Sequence, residues 1–250
     1  MLLLHGLSQT AWSWAPVARR LCRTMHVVAI DLRGHGVSEA PRDGYDLDSL
    51  AYDVLTVAVA NGWGRGAGGQ PCIVVGHGLG AMVAATAGLL EPDSVAGVGL
   101  IDAGWDDLAE ATGLTAEEFL RGLAEPPEVM RSMTAYLDDR RDYDPASWDD
   151  DQERAARAAV DEKHAGHVAP VLRAHAQRAL VEAMFEYRPR HAIRQLSMPL
   201  LVCVAEAGAA DDGQVRERRL ALNESLALRE AAGLSPALVV RFPGVGHNLM

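Results

Sequence analysis

The chain has 250 residues, 49% of them hydrophobic, with a formal net charge of −11 and a pI near 5.2. That length and apolar content suffice for one large core carrying an insertion. The negative charge argues against nucleic acid and anionic membrane surfaces, since both select basic patches, and leaves a small neutral or apolar molecule as the expected ligand. Three cysteines, Cys22, Cys72 and Cys203, are an odd number, and two of them lie in apolar runs. They read as reduced thiols, which sets a cytoplasmic expectation. There is no apolar run of about 18 residues, and Met1-Leu2-Leu3-Leu4 is too short and uncharged for a signal peptide.

In chain order, the first short apolar run, Met1 to Leu4, predicts a strand and is followed by His5-Gly6-Leu7. A helix is expected over Trp14 to Cys22. A second strand, His26 to Asp31, runs into Asp31-Leu32-Arg33-Gly34-His35-Gly36-Val37-Ser38, and a helix follows over Ser49 to Asn61. The Gly62 to Gly69 stretch is a flexible connection, because it lacks the Gly-Lys-Ser/Thr ending of a phosphate loop. The third strand, Pro71 to Gly76, turns through Gly76-His77-Gly78-Leu79-Gly80 into a helix over Leu79 to Leu90. A fourth strand is read over Val95 to Asp102. Near-continuous apolar strands between helices imply burial on both faces, hence a mostly parallel sheet flanked by helices with right-handed crossovers.

Asp106 to Gln195 is richer in charge and holds no convincing strand, so a helical lid is expected there, inserted into a core formed by 1–105 and 196–250. Within it, Asp149 to His164 and Pro170 to Tyr187 carry apolar stripes at helical spacing. His164 and His167 are helical neighbours, but no third ligand is evident, and a solvated face is expected in place of a metal site. The last elements are a strand over Pro199 to Ala205, a loop with Asp211 and Asp212, a helix over Gly213 to Ala232, and a strand over Ala237 to Phe242. Phe242-Pro243-Gly244-Val245-Gly246-His247-Asn248 follows.

With these segments in view, the chain resembles the α/β-hydrolase superfamily, cap-bearing subgroup, over essentially its whole length. Leu4-His5-Gly6-Leu7 is similar to the family's oxyanion loop, Asp31 to Ser38 to its Asp-x-Arg-Gly-x-Gly-x-Ser segment, and Gly76 to Gly80 to the Gly-x-Ser-x-Gly nucleophile elbow. The middle residue is Gly78, which has no side chain to attack with. The resemblance implies His247 as general base, Asp212 or Asp211 as the acid that orients it, and the Leu7 and Leu79 N–H groups as oxyanion donors. Asp102, at a strand end, is a fallback acid. His5 and His77 are expected to be structural, while Trp12, Trp14 and Trp105 stand where they either wall a pocket or fill the core.

The implied reaction is hydrolysis of carboxylic esters or related acyl compounds, without metal or cofactor. The missing serine leaves open a ligand-binding protein without turnover, a His-based hydrolase or lyase, and a hydrolase deliberately deprived of its nucleophile. Gly76-x-Gly78-x-x-Ala81, with Asp102 after the next strand, also fits a dinucleotide fingerprint, yet that rival accounts for none of the other motifs. The first two strands and the last helix of the family pattern are missing, which leads us to expect an apolar sheet face covered by a partner, a homo-oligomer among the candidates.

Overall fold

A computed structural model describes residues 1–143, 145, 148–163, 166–207 and 213–250. Six strands, β1 (Leu2–Leu4), β2 (Val28–Ile30), β3 (Cys72–His77), β4 (Val95–Ile101), β7 (Leu200–Glu206) and β8 (Leu238–Pro243), form one sheet in the order β2-β1-β3-β4-β7-β8. Every pairing in it is parallel. This is the mostly parallel sheet flanked by helices that the apolar runs predict. The strand order reverses beside β1, where the chain runs first to β2 and then back to β3. Loops leaving the carboxyl ends of β1 and β3 therefore part from one another, and such a switch point leaves a crevice for a ligand.

Helices α1 (Ala15–Leu21), α2 (Leu47–Ala60), α3 (Leu79–Leu90) and α10 (Gly213–Ala231) lie close to their expected positions. Asp46 starts α2 by accepting the Ser49 N–H at 2.8 Å, which satisfies one of the orphan donors of the first turn. In α3 every residue from Leu79 to Gly88 is buried. Its small residues let the helix sit hard against the sheet: a Cβ on Gly80 would lie 2.4 Å from the Leu4 carbonyl oxygen.

The segment between β4 and β7 departs from the helical lid expected over Asp106 to Gln195. It contains α4 (Leu108–Thr112), α5 (Ala116–Gly122), α6 (Met133–Tyr143), α7 (Asp150–Ala158), α8 (Ala174–Glu186) and α9 (Pro189–Gln195). It also contains an antiparallel hairpin of β5 (Val160–Glu162) and β6 (Val168–Pro170). The helix expected to reach His164 stops at Ala158, because Val160 and Val168 bury into a small separate core with Tyr136 and Leu137. Val and Pro suit that short hairpin better than another helical turn. His167 follows the hairpin turn, and His164 lies outside the described residues. The segment is not one body: Leu172, Leu180, Met184 and Ile193 belong to the main core with Leu4, Val74 and Leu100. No described helix is long and apolar enough to cross a membrane.

Candidate active site

The site is assembled at the carboxyl ends of β1, β3 and β4, which register places side by side: Leu4 pairs with Gly76, and Gly76 with Leu100. At the end of β3 the chain must reverse within one residue. Gly78 does so at φ 55°, ψ −119°, a region that disfavours side chains and that glycine occupies at little cost. Its N–H donates to the Ile101 carbonyl at 3.2 Å, and its carbonyl accepts from Ala81 N–H at 3.0 Å. The flanking glycines are demanded by contact: a Cβ on Gly76 would lie 1.9 Å from the Gly80 oxygen. Gly78 is different. A Cβ there would meet only Gly6 Cα at 3.5 Å and His247 Nε2 at 3.6 Å, both ordinary contacts, so a side chain at this position would point straight at the imidazole.

His247 Nδ1–H donates to Asp102 Oδ2 at 2.6 Å. The carboxylate facing the histidine is thus the strand-end Asp102, the fallback acid; Asp212 and Asp211, expected in that place, lie outside the described residues. Asp102 stands next to Ile101, which already bonds the elbow, on the strand adjacent to β3. Its other oxygen accepts the Ala205 N–H at 2.9 Å and faces Arg218 Nη1 at 3.1 Å. Asp102 is itself at φ 51°, an uncommon conformation for a residue with a side chain. Arg218 Nη2 fixes it by donating to its carbonyl at 2.9 Å, while Nε donates to Asp106 at 3.1 Å.

Three further histidines are buried behind this pair. His5 Nδ1–H donates to the Gly6 carbonyl at 2.7 Å and its Nε2 accepts the Leu32 N–H at 3.0 Å, so it ties the first loop to the second. His35 Nε2 accepts the Ser8 N–H at 3.2 Å. His77 Nε2–H donates to the His247 carbonyl at 2.9 Å, and the two rings are 4.3 Å apart. Burial above all holds these three imidazoles neutral, pushing His5 and His77 down to about 3 and His35 to about 4. They work as neutral struts.

Leu7 and Leu79 both line the cavity beside Gly78 and His247. Leu79 opens α3, so its N–H is one of the donors that an α-helix leaves without an internal partner. The cavity has two lobes, of about 720 and 570 Å³, which share Gly78, Phe119, Tyr143, Met184, His247 and Asn248. The larger runs over Met82, Leu108 and Val204 toward Glu206, Arg218 and Arg219. There Glu206 is held down at about 2, mainly by Arg219 and with help from Arg241. The smaller lobe is walled by Tyr136, Arg140, Trp148, Gln152 and Gln177 from the segment between β4 and β7.

Of the three tryptophans left open between pocket wall and core, none lines either lobe of the cavity. Trp12 is half exposed on the short 3₁₀ turn Ala11–Trp14, and Trp105 is fully buried, with the Arg218 guanidinium 5.0 Å above its ring. Trp14 fills the core. Trp148 supplies the aromatic wall instead. Sequence reasoning also passed over Gln9, whose Oε1 accepts the Gly6 N–H at 2.9 Å and whose Nε2 donates to Asn248 at 3.0 Å. Among the described residues, no cluster of three or more His, Cys, Asp or Glu is placed to hold a metal ion.

Known proteins share this architecture. A family model described as "Alpha/beta hydrolase family" matches residues 1–250. Over 97 residues the chain is 35% identical to "Epoxide hydrolase 4" of Homo sapiens, a match covering 38% of this chain and 25% of that protein. Over 147 residues it is 31% identical to "2-(acetamidomethylene)succinate hydrolase" of Mesorhizobium japonicum, covering 58% of this chain and 50% of that one. The matches therefore span a quarter to a half of these relatives. A solved structure of E-2-(acetamidomethylene)succinate hydrolase superposes with a TM-score of 0.79 at 23% identity, covering 99% of this chain and 84% of that one. By its sheet, its elbow and the family model that spans all its residues, the chain belongs to the α/β-hydrolase family.

Proposed function

We propose that the chain hydrolyses a small, largely apolar acyl compound, carboxylic esters first, with His247 as general base and Asp102 as the group that orients it. One observation carries this: His247 is hydrogen-bonded to Asp102 through Nδ1 at 2.6 Å, and its Nε2 faces the side-chain position of residue 78 at 3.6 Å. With glycine at that position no acyl-enzyme forms. A water molecule, the second substrate, gives its proton to Nε2 as its oxygen bonds to the acyl carbon. The resulting oxyanion is received by the Leu7 and Leu79 N–H groups, and the imidazolium then returns the proton to the departing alkoxide. Asp102 keeps Nδ1 protonated and stabilises the imidazolium.

In this proposal the segment between β4 and β7 acts as a cap whose Tyr136, Arg140 and Trp148 select the substrate. Relatives named as hydrolases and as "Probable esterase PIR7A" support the class. A reducing, cytoplasmic setting belongs to the same proposal, supported by three free cysteines. The competing reading is a ligand-binding protein without turnover, which the glycine at position 78 favours.

The test is hydrolysis of a short-chain p-nitrophenyl ester series. Slow release above the buffer rate that disappears in His247→Ala is the expected result. Ester binding with no release, unaltered by His247→Ala, would establish the binding protein instead.

A further inference from the structure

Gln9 touches three loops of the site at once. It lies in the loop after β1, and its Oε1 accepts the Gly6 N–H at 2.9 Å, one residue before the proposed oxyanion donor Leu7. The same oxygen lies 3.1 Å from His77 Nδ1, at the end of β3 and one residue before Gly78. Its Nε2 donates to Asn248 Oδ1 at 3.0 Å, one residue after His247 and after β8. His77 separately ties the end of β3 to the last loop by donating from Nε2 to the His247 carbonyl at 2.9 Å. Gly6 is small for the same reason: a Cβ there would come within 2.9 Å of both Gln9 Oε1 and His77 Nδ1.

The consequence is geometric. His247 is held through its side chain by Asp102, just past the end of β4, but its main chain follows β8, two strands away in the sheet order. Between the base and the oxyanion loop no strand pairing intervenes, because β8 pairs with β7 and β1 with β2 and β3. Side chains must set that distance, and Gln9 spans it by accepting from Gly6 and donating to Asn248. A neutral amide suits the place, since it presents an acceptor to Gly6 and a donor to Asn248 without adding charge beside His247.

We infer that Gln9 is a positioning residue for the reaction, fixing the oxyanion loop relative to His247 through its hydrogen bonds to Gly6 and Asn248. This inference rests on the function proposed above. A misplacement of about 1 Å in such a constellation costs about 10²-fold in rate, so the loss belongs in kcat and leaves KM nearly unchanged.

The experiment uses Gln9→Met, which keeps the volume and removes both hydrogen bonds, with Gln9→Glu, which keeps the acceptor toward Gly6 but loses the donor. Both are made in a Gly78→Ser background and checked for folding by thermal unfolding. The expected result is a fall in kcat of about 10- to 100-fold for Gln9→Met at nearly constant KM, with partial recovery in Gln9→Glu. A folded Gln9→Met with unchanged kcat overturns the inference. If Gly78→Ser proves inactive, the proposed function fails separately, and the inference is decided in the unaltered background by nuclear magnetic resonance. Gln9→Met should then shift the His247 ring nitrogens together with the Leu7 and Leu79 amides, whereas changes confined to Gly6 and residue 9 overturn it.

Discussion

The loops at the carboxyl ends of β1, β3 and β8 and the segment between β4 and β7 wall the same cavity but are held by different forces. In the former, glycines at 76 and 80 permit backbone contacts that no other residue would allow, and buried neutral histidines bond backbone groups of neighbouring loops. In the latter, the charges sit mostly on exposed helix faces, in pairs such as Arg157 with Glu153 and Arg178 with Glu117, and pairs of that kind contribute little. The geometry of these loops is over-determined by close packing. The cavity wall around Tyr136 rests on a small separate core with Leu137, Val160 and Val168.

The strongest way to break the contrast is to restore the one atom set that the loops lack. Gly78→Ser should raise ester hydrolysis by several orders of magnitude, with a ceiling of about 10⁶-fold set by what loss of the nucleophile costs a serine triad. Esterase assays against His247→Ala measure it. In that restored background, Asp102→Asn should lower kcat about 10⁴-fold, because the amide no longer holds the productive tautomer. Replacement of Asp211 or Asp212 should leave kcat essentially alone.

Next comes packing. Gly76→Ala drives a methyl into the Gly80 carbonyl, and a loss of more than about 4 kcal/mol in urea unfolding is expected, a size reserved for such clashes. The histidine struts add a pH dependence. His5, His35 and His77 have folded values of about 3, 4 and 3, below the ordinary 6.5, so the unfolded chain binds more protons in between. Stability should be full above pH 6.5 and fall as pH drops from 6.5 toward 4, by at most about 4 kcal/mol per pH unit for three protons. A flat unfolding free energy across pH 7 to 5 would contradict neutral burial, and His35→Gln should reduce the slope. At the small end, Arg157→Ala should cost only about 0.3 to 0.5 kcal/mol, as expected of an exposed i,i+4 pair.

Much of this was legible beforehand. The six main strands and the helix after the elbow stand out because parallel strands buried on both faces are apolar throughout. The positions of Gly76, Gly78, Gly80 and His247 were legible because a tight turn and a glycine-flanked histidine after the last strand constrain local sequence. The β5–β6 hairpin was not, since three-residue strands carry no usable alternation. Nor was the pairing of Asp102 with His247, residues 145 positions apart, nor the placement of Trp148 in the cavity wall.

By itself the sequence determined the parallel sheet, the sharp turn at Gly78 and the absence of a side-chain nucleophile there, because each follows from which residues stand in a short window. Only the tertiary structure decided which carboxylate meets His247, that Gln9 touches three loops, and which aromatic lines the cavity. Those outcomes depend on strand order and register, which bring together residues that no local pattern connects.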